Sequence, residues 1–119
     1  MARILIVDDS PSQLIGMRRT VEKLGHQVVT AEDGAAGVET AKRELPDLIL
    51  MDVVMPGLNG FQATRAISRD AETKNIPIVL CTSKSGETDK IWGMRQGARD
   101  YIVKPIRRDE LIAKIAALG

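Results

Sequence analysis

Four short apolar runs each end in a residue type that phosphoryl chemistry uses. Ile4–Val7 is followed by Asp8 and Asp9, Leu48–Met51 by Asp52, Ile78–Cys81 by Thr82 and Ser83, and Tyr101–Val103 by Lys104 and Pro105. Carboxylates can ligate a hard cation or attack phosphorus, and hydroxyl and ammonium groups can stabilise phosphoryl oxygens. In an open parallel α/β sheet, ligands bind at the carboxyl ends of the strands. Parallel pairing of these runs therefore gathers three carboxylates, a hydroxyl and an ammonium at one edge.

Such a gathering needs charge compensation. Two unit charges ~4 Å apart repel by about 4 kcal/mol at an effective dielectric of roughly 20. Three carboxylates together call for a cation or for shifted pKa values. Mg²⁺ suits oxygen donors, and Mn²⁺ accepts the same set. With Lys104 added, three carboxylates, a divalent ion and one ammonium sum to zero. Asp52, alone at the end of a central run, is the candidate nucleophile, forming an aspartyl phosphate. Asp8 and Asp9 are the candidate metal ligands, Thr82 a donor to a phosphoryl oxygen, and Lys104 its ionic partner. Each piece alone also has a plain reading: a solvated turn at Asp8-Asp9, a strand-end carboxylate at Asp52, a helix cap at Thr82-Ser83, a surface lysine at Lys104. Their coincidence at corresponding strand ends favours the composite site.

The elements that must position these groups are legible. Runs starting near Ile4, Val28, Leu48, Ile78 and Tyr101 alternate with segments of helical spacing, the pattern of βα units around a parallel sheet. The runs are nearly continuous, as in strands covered on both faces. Ser10 is expected to cap the first helix, with Pro11 at its first position and Gln13 completing a capping box. Leu14, Met17, Val21 and Leu24 share one face, and Gly25 marks the stop. Asp33 caps a second helix carrying Val38, Ala41 and Leu45, ended by Pro46. Asn59 caps a third, with Gln62 three residues on and Phe61 and Ile67 inward. The fourth, around Glu87–Gln96, is weakened by its flanking and internal glycines. The fifth starts near Arg107 and turns Leu111, Ile112, Ile115 and Leu118 to the sheet.

The totals suit one domain spanning residues 1–119 with no output domain. A chain of 119 residues can bury roughly 65% of its unfolded surface. The net charge of +1 argues against binding driven by bulk charge to nucleic acid or anionic lipid. No run approaches the ~20 apolar residues of a membrane span. The lead before the first apolar run is too short for a signal peptide, so the cytoplasm is the expected location. The single cysteine, Cys81, excludes an internal disulfide and is expected in the core.

The chain resembles the receiver domain of two-component response regulators along essentially its full length. The matching pieces are Ile4–Asp9, Leu50–Gly60 with its Met-Asp-Val-Val-Met-Pro-Gly core, Thr82-Ser83, Gly97-Ala98 and Tyr101–Pro105. The resemblance implies an α/β, flavodoxin-like, doubly wound five-stranded parallel sheet of order 2-1-3-4-5 with five helices. It implies Asp52 as phosphoacceptor and Asp9, Asp52 and the backbone carbonyl of Val54 as direct Mg²⁺ ligands, with Asp8 acting through bound water. It implies Lys104 on the phosphoryl group, a cis Lys104–Pro105 peptide, and Thr82 and Tyr101 as switch residues. Self-catalysed phosphorylation and dephosphorylation are the only chemistry implied. A histidine kinase or its phosphotransfer domain is the implied donor. The output surface is the fourth helix, fifth strand and fifth helix, meeting a motility or signalling protein, with the chain monomeric. Met55–Arg65 and Trp92–Tyr101 look like stand-alone receivers of the chemotaxis-like pathway of type IV pili and twitching motility.

Val54 and Lys84 stand where flagellar chemotaxis receivers carry polar groups, so phosphoryl lifetime is left open. His26 is expected at the sheet end opposite the acidic cluster. Trp92 is expected either to pack semi-buried or to stand out as an anchor for a partner, and Arg107-Arg108 to form a solvated face. The competing readings are a phosphate sink for a shared kinase, a flavodoxin-like nucleotide binder and a metal-dependent phosphohydrolase. The nucleotide binder is disfavoured by the anionic, glycine-free Asp8–Pro11 turn, which offers no phosphate cradle.

Overall fold

The computed structural model describes residues 2–83 and 86–118. Lys84 and the side chain of Leu118 lie outside that description. Among the described residues the strands are β1 (Arg3–Val7), β2 (Gln27–Ala31), β3 (Leu48–Asp52), β4 (Ile78–Thr82) and β5 (Asp100–Val103). The helices are α1 (Pro11–Lys23), α2 (Gly34–Glu44), α3 (Gly60–Arg69), α4 (Glu87–Arg95) and α5 (Arg108–Leu118). All strand pairs are parallel and run in the order β2-β1-β3-β4-β5.

Alternation along the strands divides the core in two. Leu5, Val7, Ile49, Met51, Ile78 and Leu80 point to one face, where Ala41 of α2 and Ala63 and Ile67 of α3 cover them. Ile4, Ile6, Leu48, Leu50, Val79, Cys81 and Ile102 point to the other, covered by Met17 and Val21 of α1 and Leu111 and Ile115 of α5. β3 and β4 are buried at every position, which explains their unbroken apolar sequence. Burial of Cys81 pushes its thiol up to about 12, so it packs as an inert core residue.

The caps decide where several helices begin. Asp33 accepts from the Ala36 backbone N–H at 2.8 Å. Asn59 and Gln62 form the expected reciprocal box, both bonds 2.9 Å long. At α1 the expectation fails: Ser10 occupies the N-cap position without a side-chain capping bond. Its backbone N–H donates instead to Asp8 Oδ1 at 2.9 Å, which leaves nothing for Gln13 to cap. Helix ends also differ from the periodic reading. Leu45 adopts a left-handed conformation as the C-cap of α2, one residue before Pro46, and it and Leu24 lie exposed beyond their helices. Ile112 is half-buried, whereas Leu111 and Ile115 enter the core.

Two glycines hold the β3–α3 loop. A Cβ at Gly34 would sit 2.0 Å from the Leu58 carbonyl oxygen, and one at Gly60 would sit 2.0 Å from that of Asp52. The loop backbone is therefore in contact with the start of α2 and folds back on the end of β3, a closure completed by the Gly60 N–H donating to Val53 O at 2.9 Å. Gly16 is the opposite case, since a Cβ there meets nothing within 4 Å. Gly16→Ala is expected to raise stability by about 0.5–1 kcal/mol through helix propensity. Gly34→Ala is expected to lower it by about 1–3 kcal/mol through overpacking. Urea denaturation of the two variants at constant m-value checks both signs.

Candidate functional site

The strand register assembles the site. Val7 pairs with Met51, and Asp52 with Cys81, so Asp8 follows β1 beside the end of β3. From β1 the chain crosses to β2 on one side, and from β2 it returns past β1 to β3 on the other. The gap above β1 and β3 is the topological switch point, where open α/β sheets bind ligands. A cleft of about 470 Å³ opens there, lined by Asp8, Asp9, Ser10, Gln13, Asp52, Val54, Ser83, Lys104 and Pro105.

Asp8 and Asp52 are buried, while Asp9 is exposed. The turn begun by the Ser10 N–H bond to Asp8 swings the two adjacent carboxylates toward one edge, so that one oxygen each of Asp8, Asp9 and Asp52 lies within 4.8 Å of the others. Asp52 Oδ1 accepts from its neighbour's backbone, Val53 N–H, at 3.0 Å. Lys104 reaches in from the far strand. Its ammonium donates to Asp52 Oδ1 at 3.1 Å and to Asp8 Oδ2 at 3.3 Å, and also to Gln13 Oε1. Its backbone N–H donates to Thr82 O at 2.7 Å, which fixes where the side chain starts. The Lys104–Pro105 peptide is cis, matching the implied form.

Charge is unbalanced in this cleft. Burial raises the Asp52 carboxyl above its ordinary value; the Lys104 bond opposes that, and the Asp8 and Asp9 charges reinforce it. Burial also pulls the Lys104 ammonium down, but the bonds and charges of Asp52 and Asp8 outweigh it and leave the ammonium above its ordinary value. Among the described residues, one ammonium thus faces three carboxylates. Hard oxygen donors within one ion's reach, in excess negative charge, fit a divalent cation of the Mg²⁺ type.

Asp8, Asp9, Asp52, Val54 and Lys104 come together as the sequence suggested. Thr82 is buried at the end of β4, and Ser83 lies on the cleft wall. Tyr101 lies half-buried on the α3 side of the sheet. Burial and then the Asp89 carboxylate push its phenol above the ordinary value, against a side-chain hydrogen bond with Thr82. Thr82 and Tyr101 are therefore linked directly. His26 sits at the opposite end of the sheet, where its Nδ1 accepts from Ala2 N–H at 3.0 Å. Gln13 is a cleft residue that sequence reasoning missed. The one signal for it was Asp8 two residues before the N-cap, an acceptor placed to take the N–H that a capping glutamine would need.

Residues 4–116 match the family model for the response regulator receiver domain, and the chain belongs to that family. It is thus a two-component response-regulator domain, whose upstream partner is a histidine kinase or phosphotransfer protein. It is 57% identical over 118 residues to protein PilH of Pseudomonas aeruginosa, covering 99% of this chain and 98% of that one. It is 40% identical over 117 residues to response regulator PleD of Caulobacter vibrioides, of which it spans 26%. The chemotaxis protein CheY4 of Vibrio cholerae superposes with a TM-score of 0.94 at 31% identity, covering 100% of this chain and 99% of that one. The receiver domain of a Pseudomonas aeruginosa sensor histidine kinase, solved with a magnesium ion coordinated in its active-site cleft, superposes with a TM-score of 0.91 at 32% identity, covering 98% and 96% of the two chains. No helix among the described residues is long and apolar enough to cross a membrane.

With chelator present, Asp52→Asn is expected to be more stable than the wild type at neutral pH, because burial and the Asp8 and Asp9 charges oppose ionisation of Asp52 while the amide keeps an acceptor for Lys104. A carboxyl held above its ordinary value costs nothing at low pH, where it is protonated both folded and unfolded. The cost grows as pH rises past about 3.9 and is complete above the folded-state value. Urea midpoints from about pH 4 to about pH 8 should therefore diverge upward. A constant gap would remove Asp52 ionisation as the cause.

Proposed function

We propose that Asp52 accepts a phosphoryl group from a phosphohistidine, with Lys104 as its ionic partner, and that the phosphorylated domain changes a protein-binding surface. The observation that carries this reading is the Lys104 ammonium bonded at once to Asp52 and Asp8 inside a three-carboxylate cluster at the switch point.

The chemistry follows from the residues present. An Asp52 carboxylate oxygen forms the new P–O bond while the donor's P–N bond breaks, and the imidazole nitrogen leaves with the electron pair. No oxidation is involved. Lys104, already beside that carboxylate, needs little movement to meet a phosphoryl oxygen. Asp8, Asp9, Asp52 and the Val54 carbonyl would hold Mg²⁺, with Mn²⁺ as an alternative; when bound, it supplies charge neutralisation for the phosphoryl oxygens. Val54 is 57% exposed at the mouth of the cleft. It leaves the acceptor open to a protein-borne donor, yet gives an attacking water no hydrogen bond, which favours slow self-dephosphorylation.

Thr82 and Tyr101 carry the state of the cleft outward. Thr82 ends β4 close behind Asp52, and its link to Tyr101 reaches toward α4. There Ile91, Trp92 and Met94 are about half exposed, so Trp92 is not a core residue but part of an uncovered apolar surface. We assign the output contact to α4, β5 and α5, with a motility or signalling protein as partner. A pure phosphate sink needs no such surface. The similarity to PilH along the whole chain supports a place in type IV pilus and twitching-motility control. Action as a monomer in the cytoplasm accords with this reading.

Intact mass after incubation with acetyl phosphate and Mg²⁺ tests it. The wild type is expected to gain one phosphoryl group, a gain abolished by chelator and by Asp52→Asn. Lys104→Met is expected to slow the gain by about 100-fold, as for loss of a charged group from a preorganised electrostatic site. A wild type that gains nothing with either Mg²⁺ or Mn²⁺ would overturn Asp52 as a self-catalysed acceptor.

A further inference from the structure

The two glutamines that stand third in their helices have opposite fates. Gln62 folds back on the N-cap of α3, whereas Gln13 turns from the start of α1 into the acidic cleft and accepts from Lys104. The Ser10 N–H that Gln13 would have capped is already bound to Asp8 Oδ1. A lysine ammonium carries three N–H donors and no acceptor. Here the three meet Asp8 Oδ2, Asp52 Oδ1 and Gln13 Oε1. The Gln13 oxygen must face the ammonium, since its NH₂ group would oppose donor to donor.

The three acceptors are not equivalent. Asp8 and Asp52 belong to the carboxylate trio whose oxygens lie within one cation's reach. A divalent ion there would draw on those same oxygens and repel the ammonium. Gln13 is neutral and lies outside the trio. Its backbone is held in the first turn of α1, where Leu14 N–H donates to Ser10 O at 3.0 Å, so it offers the ammonium an anchor on a rigid element. We propose that Gln13 is a positioning residue for Lys104, its side-chain oxygen keeping the ammonium beside Asp52 when the carboxylates that otherwise hold it are shared with a bound cation. This rests on the phosphoacceptor reading of the cleft.

The test uses full-length protein labelled with ¹⁵N-lysine, in chelator and at saturating Mg²⁺. Three proteins are compared: wild type, Gln13→Met, which keeps length but loses the acceptor, and Gln13→Glu, which restores one. The readouts are the Lys104 ammonium resonance, assigned by its loss in Lys104→Met, the rate of mass gain from acetyl phosphate, and the thermal midpoint. Without metal, all three proteins should show an ordered Lys104 signal, since two carboxylates suffice. With Mg²⁺, the signal should persist in wild type and Gln13→Glu and broaden away in Gln13→Met. The Gln13→Met acceptance rate should fall about ten-fold, the loss expected for one hydrogen bond to a charged group, with the thermal midpoint unchanged. A Gln13→Met protein that keeps both the Lys104 signal and the rate in Mg²⁺ overturns the proposal. A fall in rate with the thermal midpoint, not rescued by Gln13→Glu, also overturns it, by showing a role in folding α1 alone. If no protein gains mass yet the Lys104 signals behave as stated, positioning by Gln13 stands and the assignment of Asp52 as acceptor falls.

Discussion

Three carboxylates facing one ammonium is the constraint around which this domain is built. Two of them, Asp8 and Asp52, are withdrawn from water, and a buried charge persists only if its hydrogen bonds are supplied. Each is given one backbone N–H from its own turn and one N–H from Lys104. Those bonds tie together the carboxyl ends of β1, β3 and β5, whose relative heights the strand register sets. The remaining negative charge is what suits the cleft to a divalent cation.

Much of this arrangement is legible in the amino-acid sequence, for a physical reason. Strands buried on both faces have nothing but apolar residues to display, so the first polar residue after each run marks the sheet edge. Asp8, Asp52, Thr82 and Lys104 are such residues. Caps at Asp33 and Asn59 are equally readable, because their partners lie within the next turn. The capping box at Ser10 and Gln13 carries the same local signature and does not form. Asp8 competes for the backbone donor, and the acceptor left over is claimed by Lys104, a residue far away in sequence. Local rules fail where a distant charge makes the stronger bond.

Other misses share that character. Leu24 and Leu45 continue the apolar spacing of their helices but sit where the helix has already ended, and chain reversal carries them into solvent. Trp92 is on a helix whose apolar residues are not confined to one side, so spacing could not say whether it packed inward. Thr82 lies at the predicted strand end, buried and hydrogen-bonded to Tyr101.

The close approach of α2 to the β3–α3 loop has a consequence for how the domain can move. The first residue of α2 is in backbone contact with Leu58, and nothing compressible lies between them. The segment from Val53 to Asn59 therefore cannot shift toward α2 unless that helix tilts, nor draw away from the start of α3 unless Gly60 releases Val53. A helix that contributes no group to the chemistry acts as a hard stop behind the Val54 side of the cleft, and displacement of that wall becomes coupled to a surface on the far side from α1 and α5.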